Sequence, residues 1–353
     1  MVRVSVVLPL NRIDEFTLPA VQSVLDSRGV DLELIIVFDQ LPMGEIQVLK
    51  TRLVDKRIVF LTSEGAGIVP ALNKGVEAAS SDFIARMDGD DLCHPDRLAR
   101  QVDYLVRHKE VLVVGCNINF ICKHGVKTGS SRFSRHVPRS YLLRPFSSPV
   151  AHPAAMIRSS VFRDGVSYRE LFDGFQAEDF DLWYQVLRRG AIHNLCGSYL
   201  QYRVHSGQVS TIKARQVALS TVAVVLLDLY HPLELGSDHS LLHSVDSESF
   251  LSNLISPSQV KSLSLAKKLR LDFYFGYLAA LELLQDLRVI ILPRTKNRKR
   301  SRTSFDAVRK HSLAWSLILL GPVAFLHLRH ALLLALGSIN QCRECKSVDT
   351  WNG

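Results

Sequence analysis

The sequence predicts an α/β fold: a mixed, mostly parallel sheet flanked by helices, followed by a helical C-terminal extension. Three observations predict it. Short apolar, mostly β-branched runs recur through the first third of the chain. Amphipathic helical patterns lie between them, and acids stand where such strands would end.

The runs fall at 4–8, 32–37, 57–61 and 83–87, each short and apolar enough for a strand buried on both faces. Between them Val21, Val24 and Leu25 share one helical face. Ile68, Leu72, Val76 and Ala79 share another, and Leu98, Val102 and Leu105 a third, all at three- or four-residue spacing. Strand, helix, strand in repetition argues for parallel pairing through crossovers. Ligands of such sheets bind at the carboxyl ends of the strands, where Asp39 and the cluster Asp88-Gly89-Asp90-Asp91 both fall. Three acids in four residues repel one another unless a cation, a hydroxyl-rich ligand or solvent offsets the charge. Taken alone, the cluster fits a ligand site and equally a solvated turn with helix-capping aspartates.

Seven segments in order carry a resemblance: Val4 to Asn11, Leu34 to Asp39, Ala71 to Gly75, Ile84 to Asp91, His152 to Arg158, Ala177 to Trp183 and Tyr202 to Ser210. Together they resemble the family 2 inverting glycosyltransferases, with the Rossmann-like GT-A nucleotide-diphosphosugar fold, over about the first 212 residues. The expected organisation is a catalytic domain over 1–215 and, over 216–353, a helical extension with a basic run and an apolar membrane-associating segment.

The resemblance implies an enzyme that moves a hexose or N-acetylhexosamine from a nucleotide-diphosphosugar to a glycan or lipid-linked glycan acceptor. It implies donor contacts at Pro9, Asn11, Asp39, Asn73, Lys74, Asp88 and Gly89, and a divalent metal, Mn2+ or Mg2+, at Asp90 and His205. The chemistry needs such groups, because the departing diphosphate oxygen gains negative charge that a cation stabilises. An imidazole in an oxygen-rich site favours manganese modestly. Asp39 resembles the acid that accepts an imide hydrogen from the base, which points to a UDP-sugar. The segment Phe38-Asp39-Gln40-Leu41-Pro42 departs from the family pattern of two acids followed by Gly-Ser, and Leu10 replaces a frequent aromatic.

By the same resemblance Asp179 is the general base, taking the proton of the attacking acceptor hydroxyl. A single displacement inverts the anomeric configuration, so an α-linked donor gives a β-glycoside. Glu178, His152 and Trp183 are assigned to the acceptor. Plainer readings stand beside these: first-turn acids complement a helix dipole, Lys74 fits a solvated helix lysine, His205 a surface histidine, and Trp183 lies on an apolar helix stripe. Arg158 and Asp181 read as structural.

The rest of the chain bears on location. No secretory signal is expected, since Met1-Val2-Arg3 runs straight into the first strand. Six scattered cysteines suggest a reducing cytosol, and the lone Cys342-x-x-Cys345 pair is weak as a zinc motif. An apolar-rich stretch at 273–292 precedes a basic run through Arg294, Lys296, Arg298, Lys299, Arg300 and Arg302. Residues 313–336 are apolar but broken by Gly321-Pro322, His327, Arg329 and His330, which suits an interfacial segment on an anionic leaflet better than a spanning helix. A buried core helix or an oligomer contact would read the same way. With a formal charge of +9, this predicts a cytoplasmic protein peripheral to the inner membrane face. Nucleic acid is not expected as a partner, since the basic residues lack interleaved aromatics. The competing function class is a catalytically inactive sugar- or nucleotide-binding scaffold at the membrane, drawn from the altered Phe38 to Pro42 segment.

Overall fold

A computed structural model of the chain describes residues 2–138, 148–170 and 177–205. The expected domain boundary at 215, the extension with its basic and apolar stretches, Ser206 to Ser210 and the Cys342/Cys345 pair lie outside the described residues.

The described strands form one sheet: β1 (Arg3–Leu10), β2 (Asp31–Phe38), β3 (Ile58–Thr62), β4 (Phe83–Arg86), β5 (Leu92–Cys93), β6 (Val111–Cys122), β7 (Lys127–Ser131), β8 (His136–Val137), β9 (Met156–Arg158) and β10 (Ala191–Val204). Their order is β3-β2-β1-β4-β9-β6-β10-β5, with β7 added on β6 and β8 on β10. β3, β2, β1 and β4 are mutually parallel. β9 runs against both β4 and β6, and β10 pairs parallel with β6. The carboxyl ends of β1, β2, β4, β6 and β10 therefore share one edge of the sheet. The chain reverses its direction of winding between β1 and β4, and a switch of that kind opens a crevice at this edge.

Among the described residues six α-helices cover the sheet: α1 (Thr17–Leu25), α2 (Met43–Arg52), α3 (Ile68–Ala78), α4 (Arg97–Arg107), α5 (Ser159–Arg163) and α6 (Glu178–Leu187). Side chains alternate along each strand, so β1 splits its residues between two cores. Val4, Val6, Leu8 and Leu10 pack with Val21 of α1, Leu49 of α2 and Leu98 and Leu105 of α4. Val7 joins Leu72 of α3, Val161 of α5 and Leu182, Trp183 and Val186 of α6 on the opposite face. Full burial of each such large side chain contributes roughly 1.5–3 kcal/mol. Close packing of α3 on β1 depends on Gly75, where a Cβ would stand 2.4 Å from Val7 Cγ1.

β3 departs from the expectation of burial on both faces. It is the last strand of its side, and Val59 is exposed. Two buried polar side chains brace the interior. Arg97 donates to the Arg86 carbonyl at 2.6 Å, and Gln101 donates to the carbonyls of Val114 and Ala154. Arg158 closes the junction of α4 and β6 by donating to the carbonyls of Leu105, His108 and Val111, the structural role expected of it. Among the described residues no helix is long and apolar enough to cross a membrane.

Candidate active site

The acid turn follows β4 directly. Asp88, Asp90 and Asp91 each offer an oxygen within 4.8 Å of the others. Asp91 is fully buried; its Oδ1 accepts the Arg203 backbone N–H at 2.8 Å, and its Oδ2 has no hydrogen-bond partner. Burial, reinforced by the charges of Asp88 and Asp90, pushes its carboxyl well above the usual range. Burial also raises Asp88, against the pull of Arg86, with which it forms an ion pair. Gly89 lets the turn close on β1, since a Cβ there would meet Leu10 Cδ2 at 2.3 Å.

Four basic side chains converge on these acids. Arg86, buried within β4, keeps its charge: burial pulls its pKa down, but Asp88 outweighs that. Arg203 donates through Nε to the Asp90 carbonyl at 2.8 Å and lies over the Phe16 ring at 4.5 Å. His205 Nε2 stands 3.0 Å from Asp90 Oδ2, so the two expected metal ligands meet although 115 residues apart. Arg12 Nη2 approaches the same oxygen at 3.3 Å and His205 Nε2 at 3.2 Å, while its Nε pairs with Asp14 at 3.0 Å. Three carboxylates, one of them with a buried oxygen that has no hydrogen-bond partner, and one imidazole suit a hard divalent cation such as Mn2+ or Mg2+.

The second focus is the first turn of α6. Asp179 is half-buried, and burial raises its carboxyl to about 6. The Phe180 backbone N–H, donated to Oδ1 at 2.7 Å, and the charge of Arg86 oppose that rise, while Asp88 adds to it. Asp179 is thus near enough to the acid turn to feel the charges of Asp88 and Arg86. Asp181 is fully buried and is gripped by Arg169 and by Gln185 Nε2 at 2.9 Å, which anchors the helix start as expected. Glu178 is buried next to it.

The remaining expected residues divide. Asp39 directly follows β2 at the same edge, with Oδ1 accepting the Gly67 N–H at 2.9 Å; Gly67 holds a φ of 103°, which glycine adopts without strain. Pro9 is half-buried in β1, and Asn11 is exposed just past its end. Lys74 pairs on the surface with Glu64 at 3.0 Å and Glu77 at 3.7 Å, the solvated arrangement that was its plainer reading. Three assignments need correction. Asn73 bonds at both ends of its carboxamide to the Tyr168 backbone, which makes it a brace between α3 and that segment rather than a donor contact. Trp183 is fully buried and has no face for an acceptor ring. His152 is buried edge-on against Trp183, with Nε2 on the Tyr168 hydroxyl at 2.9 Å. Burial and then Arg86 hold it well below its usual pKa, so it is a neutral support for the cleft rather than an acceptor contact.

Sequence reasoning assigned no role to Arg86, Arg12, Arg203 or Asp91. Arg86 carried a readable signal, an ionisable residue inside an otherwise apolar strand two positions before the acids. Arg12 and Arg203 carried none, because the Asp90 they meet lies 78 and 113 residues away along the chain.

Comparison with known proteins bears on this arrangement. Residues 5–166 match the family model described as Glycosyl transferase family 2. Over 208 residues the chain is 30% identical to the O-antigen biosynthesis glycosyltransferase WbnJ of Escherichia coli, covering 58% of this chain and 80% of that one. It is 24% identical over 200 residues to the amylovoran biosynthesis glycosyltransferase AmsE of Erwinia amylovora, covering 56% of this chain and 74% of that one. A crystal structure of S. aureus TarS in complex with UDP-GlcNAc superposes with a TM-score of 0.50 at 14% identity, over 79% of this chain and 81% of that one, a likeness of fold.

Proposed function

Because the chain belongs to glycosyl transferase family 2, with its Rossmann-like GT-A fold and glycosyltransferase activity, we propose an inverting transfer from a UDP-sugar to a glycan or lipid-linked glycan acceptor. The observation that carries this reading is two unlike acid sites within reach of one another's charge: a crowded turn suited to a cation, and a separate carboxyl, Asp179, raised to about 6.

Asp179 accepts the proton of the acceptor hydroxyl as that oxygen attacks the anomeric carbon. The bond to the diphosphate oxygen breaks on the opposite face and its electron pair leaves with the nucleotide, so configuration inverts. Asp90 and His205, with the unpaired Asp91 oxygen nearby, would hold a divalent cation, which supplies Lewis-acid stabilisation of the leaving diphosphate. Arg86 opposes the rise that burial imposes on Asp88 and lowers the proton affinity of Asp179, keeping the base usable near neutral pH. Asp39 at the end of β2 supports uracil as the base, and TarS, of like fold, is seen with UDP-GlcNAc.

The named roles of WbnJ and AmsE support surface polysaccharide synthesis as the setting. The charge of +9, the basic run from Arg294 and the broken apolar segment 313–336 support a peripheral place on the cytoplasmic face of the inner membrane. Salt-sensitive sedimentation with anionic vesicles tests that placement. The scaffold alternative drew on the altered Phe38 to Pro42 segment; within it Phe38 is a fully buried β2 residue stacked on Phe60, a packing role independent of activity, while Asp39 keeps its acid at the strand's carboxyl end.

Calorimetric titration of nucleoside diphosphates, with and without Mn2+, tests the donor site. Manganese-dependent binding of UDP, lost in Asp90→Asn, is the expected result. Folded protein that binds no nucleotide would overturn the reading.

A further inference from the structure

Arg12 Nη2, His205 Nε2 and Asp90 Oδ2 close a triangle with sides of 3.2, 3.0 and 3.3 Å. Two of its corners are the residues that would hold the divalent cation; the third is a guanidinium, which has no lone pair to offer a metal. We infer that Arg12 is a resident counter-cation of Asp90 that competes with the divalent ion and so ties ion binding to nucleotide binding. The inference rests on the proposed metal role of Asp90 and His205.

An ion ligated by both Asp90 Oδ2 and His205 Nε2 must lie roughly 2.0–2.2 Å from each, on one side or other of the line between them. On the near side it collides with the Arg12 nitrogen. On the far side it faces the guanidinium across a few ångströms, and like charges at that range repel. Arg12 can yield without disturbing the fold, since its side chain is 42% exposed and its Nε is held by Asp14 outside the triangle. A guanidinium turned outward on Asp14 then stands at the mouth of the site, where a diphosphate offers oxygens in the paired geometry it binds well. The diphosphate thereby neutralises two cations that repel each other in its absence. Ion and nucleotide must then strengthen one another's binding, and reciprocally.

The test is direct Mn2+ binding to the full chain, read by electron paramagnetic resonance of free manganese, with and without UDP. Arg12→Ala is expected to bind Mn2+ roughly tenfold more tightly than the unaltered protein when no nucleotide is present, the scale of one removed neighbouring charge. Arg12→Lys keeps the charge and is expected to stay near the unaltered affinity. UDP should tighten Mn2+ binding several-fold less in Arg12→Ala than in the unaltered protein. Unchanged or weaker Mn2+ binding in Arg12→Ala would overturn the inference while leaving the metal site standing. Absence of Mn2+ binding in every variant, with UDP present, would instead remove the metal role of Asp90 and the inference with it.

Discussion

The acid turn after β4 and the first turn of α6 both hold buried carboxyls with raised proton affinity, but for different reasons. In the turn, Asp91 is raised by burial and by two neighbouring acids, and Arg86, Arg12, Arg203 and His205 gather around the group. On α6, Asp179 is raised chiefly by burial, to about 6, with Arg86 acting on it only as a nearby charge. A cation entering the turn removes the repulsion that raises Asp91. It does not restore water to Asp179. The difference separates an acid cluster suited to binding charge from a carboxyl suited to exchanging a proton.

The largest test of that division is Asp179→Asn. Transfer should fall by about a thousandfold while UDP binding stays unchanged, a gap that calorimetry beside a transfer assay would expose. Comparable turnover would remove Asp179 from the base role. The same substitution should raise the melting temperature. A carboxyl lifted from 3.8 to about 6 holds its proton more tightly folded than unfolded, so the fold loses stability as pH rises through that window and remains penalised above it. Removing the charge should recover about 1–3 kcal/mol at neutral pH, less whatever solvent already screens.

Asp90→Asn should break the other half of the comparison. It should weaken manganese-dependent UDP affinity on the order of a hundredfold. A smaller effect is expected from pH alone. Transfer at subsaturating substrate should fall about tenfold per unit below a pH of about 6, and Asp179→Asn should abolish that limb of the profile. If the limb survives in the variant, another group is titrating. The smallest effect belongs to Gln40, which holds a φ of 52° immediately after Asp39. Gln40→Gly should stabilise the protein by about 0.5–1 kcal/mol in denaturant melts, because glycine enters this backbone region without strain. It should leave the pH profile untouched.

Much of this architecture was legible along the chain where a single residue's neighbours decide its fate. β1, β2 and β4 announce themselves as apolar runs because both faces of an interior parallel strand are buried, and α3 and α4 because one face is. β10 was harder to see. It mixes Asn194, Ser198, Gln201 and Arg203 among its apolar residues, and its identity comes from long pairing with β6. At the site, the carboxylates could be found because they cluster within four residues. Two of the cations around them could not, since Arg12 reaches Asp90 across 78 residues and Arg203 across 113. Asn73 and Trp183 were misassigned for the complementary reason: a position beside a functional motif does not say whether the side chain faces the cleft or the interior.

Arg203 joins parts of the chain that share no local sequence. Its backbone N–H is held by Asp91, its Nε by the Asp90 carbonyl, and its Nη1 by the carbonyls of Cys122 and Lys123 where β6 turns toward β7. The acid turn is therefore clamped to the hairpin of β6 and β7 through one side chain. Most of the ordering that the acid turn requires is completed during folding, so little entropy is left to lose when a nucleotide arrives. The same clamp gives that hairpin mechanical leverage on the site. Whatever docks on or bends β7 pulls, through the Cys122 and Lys123 carbonyls and Arg203, on the acid turn.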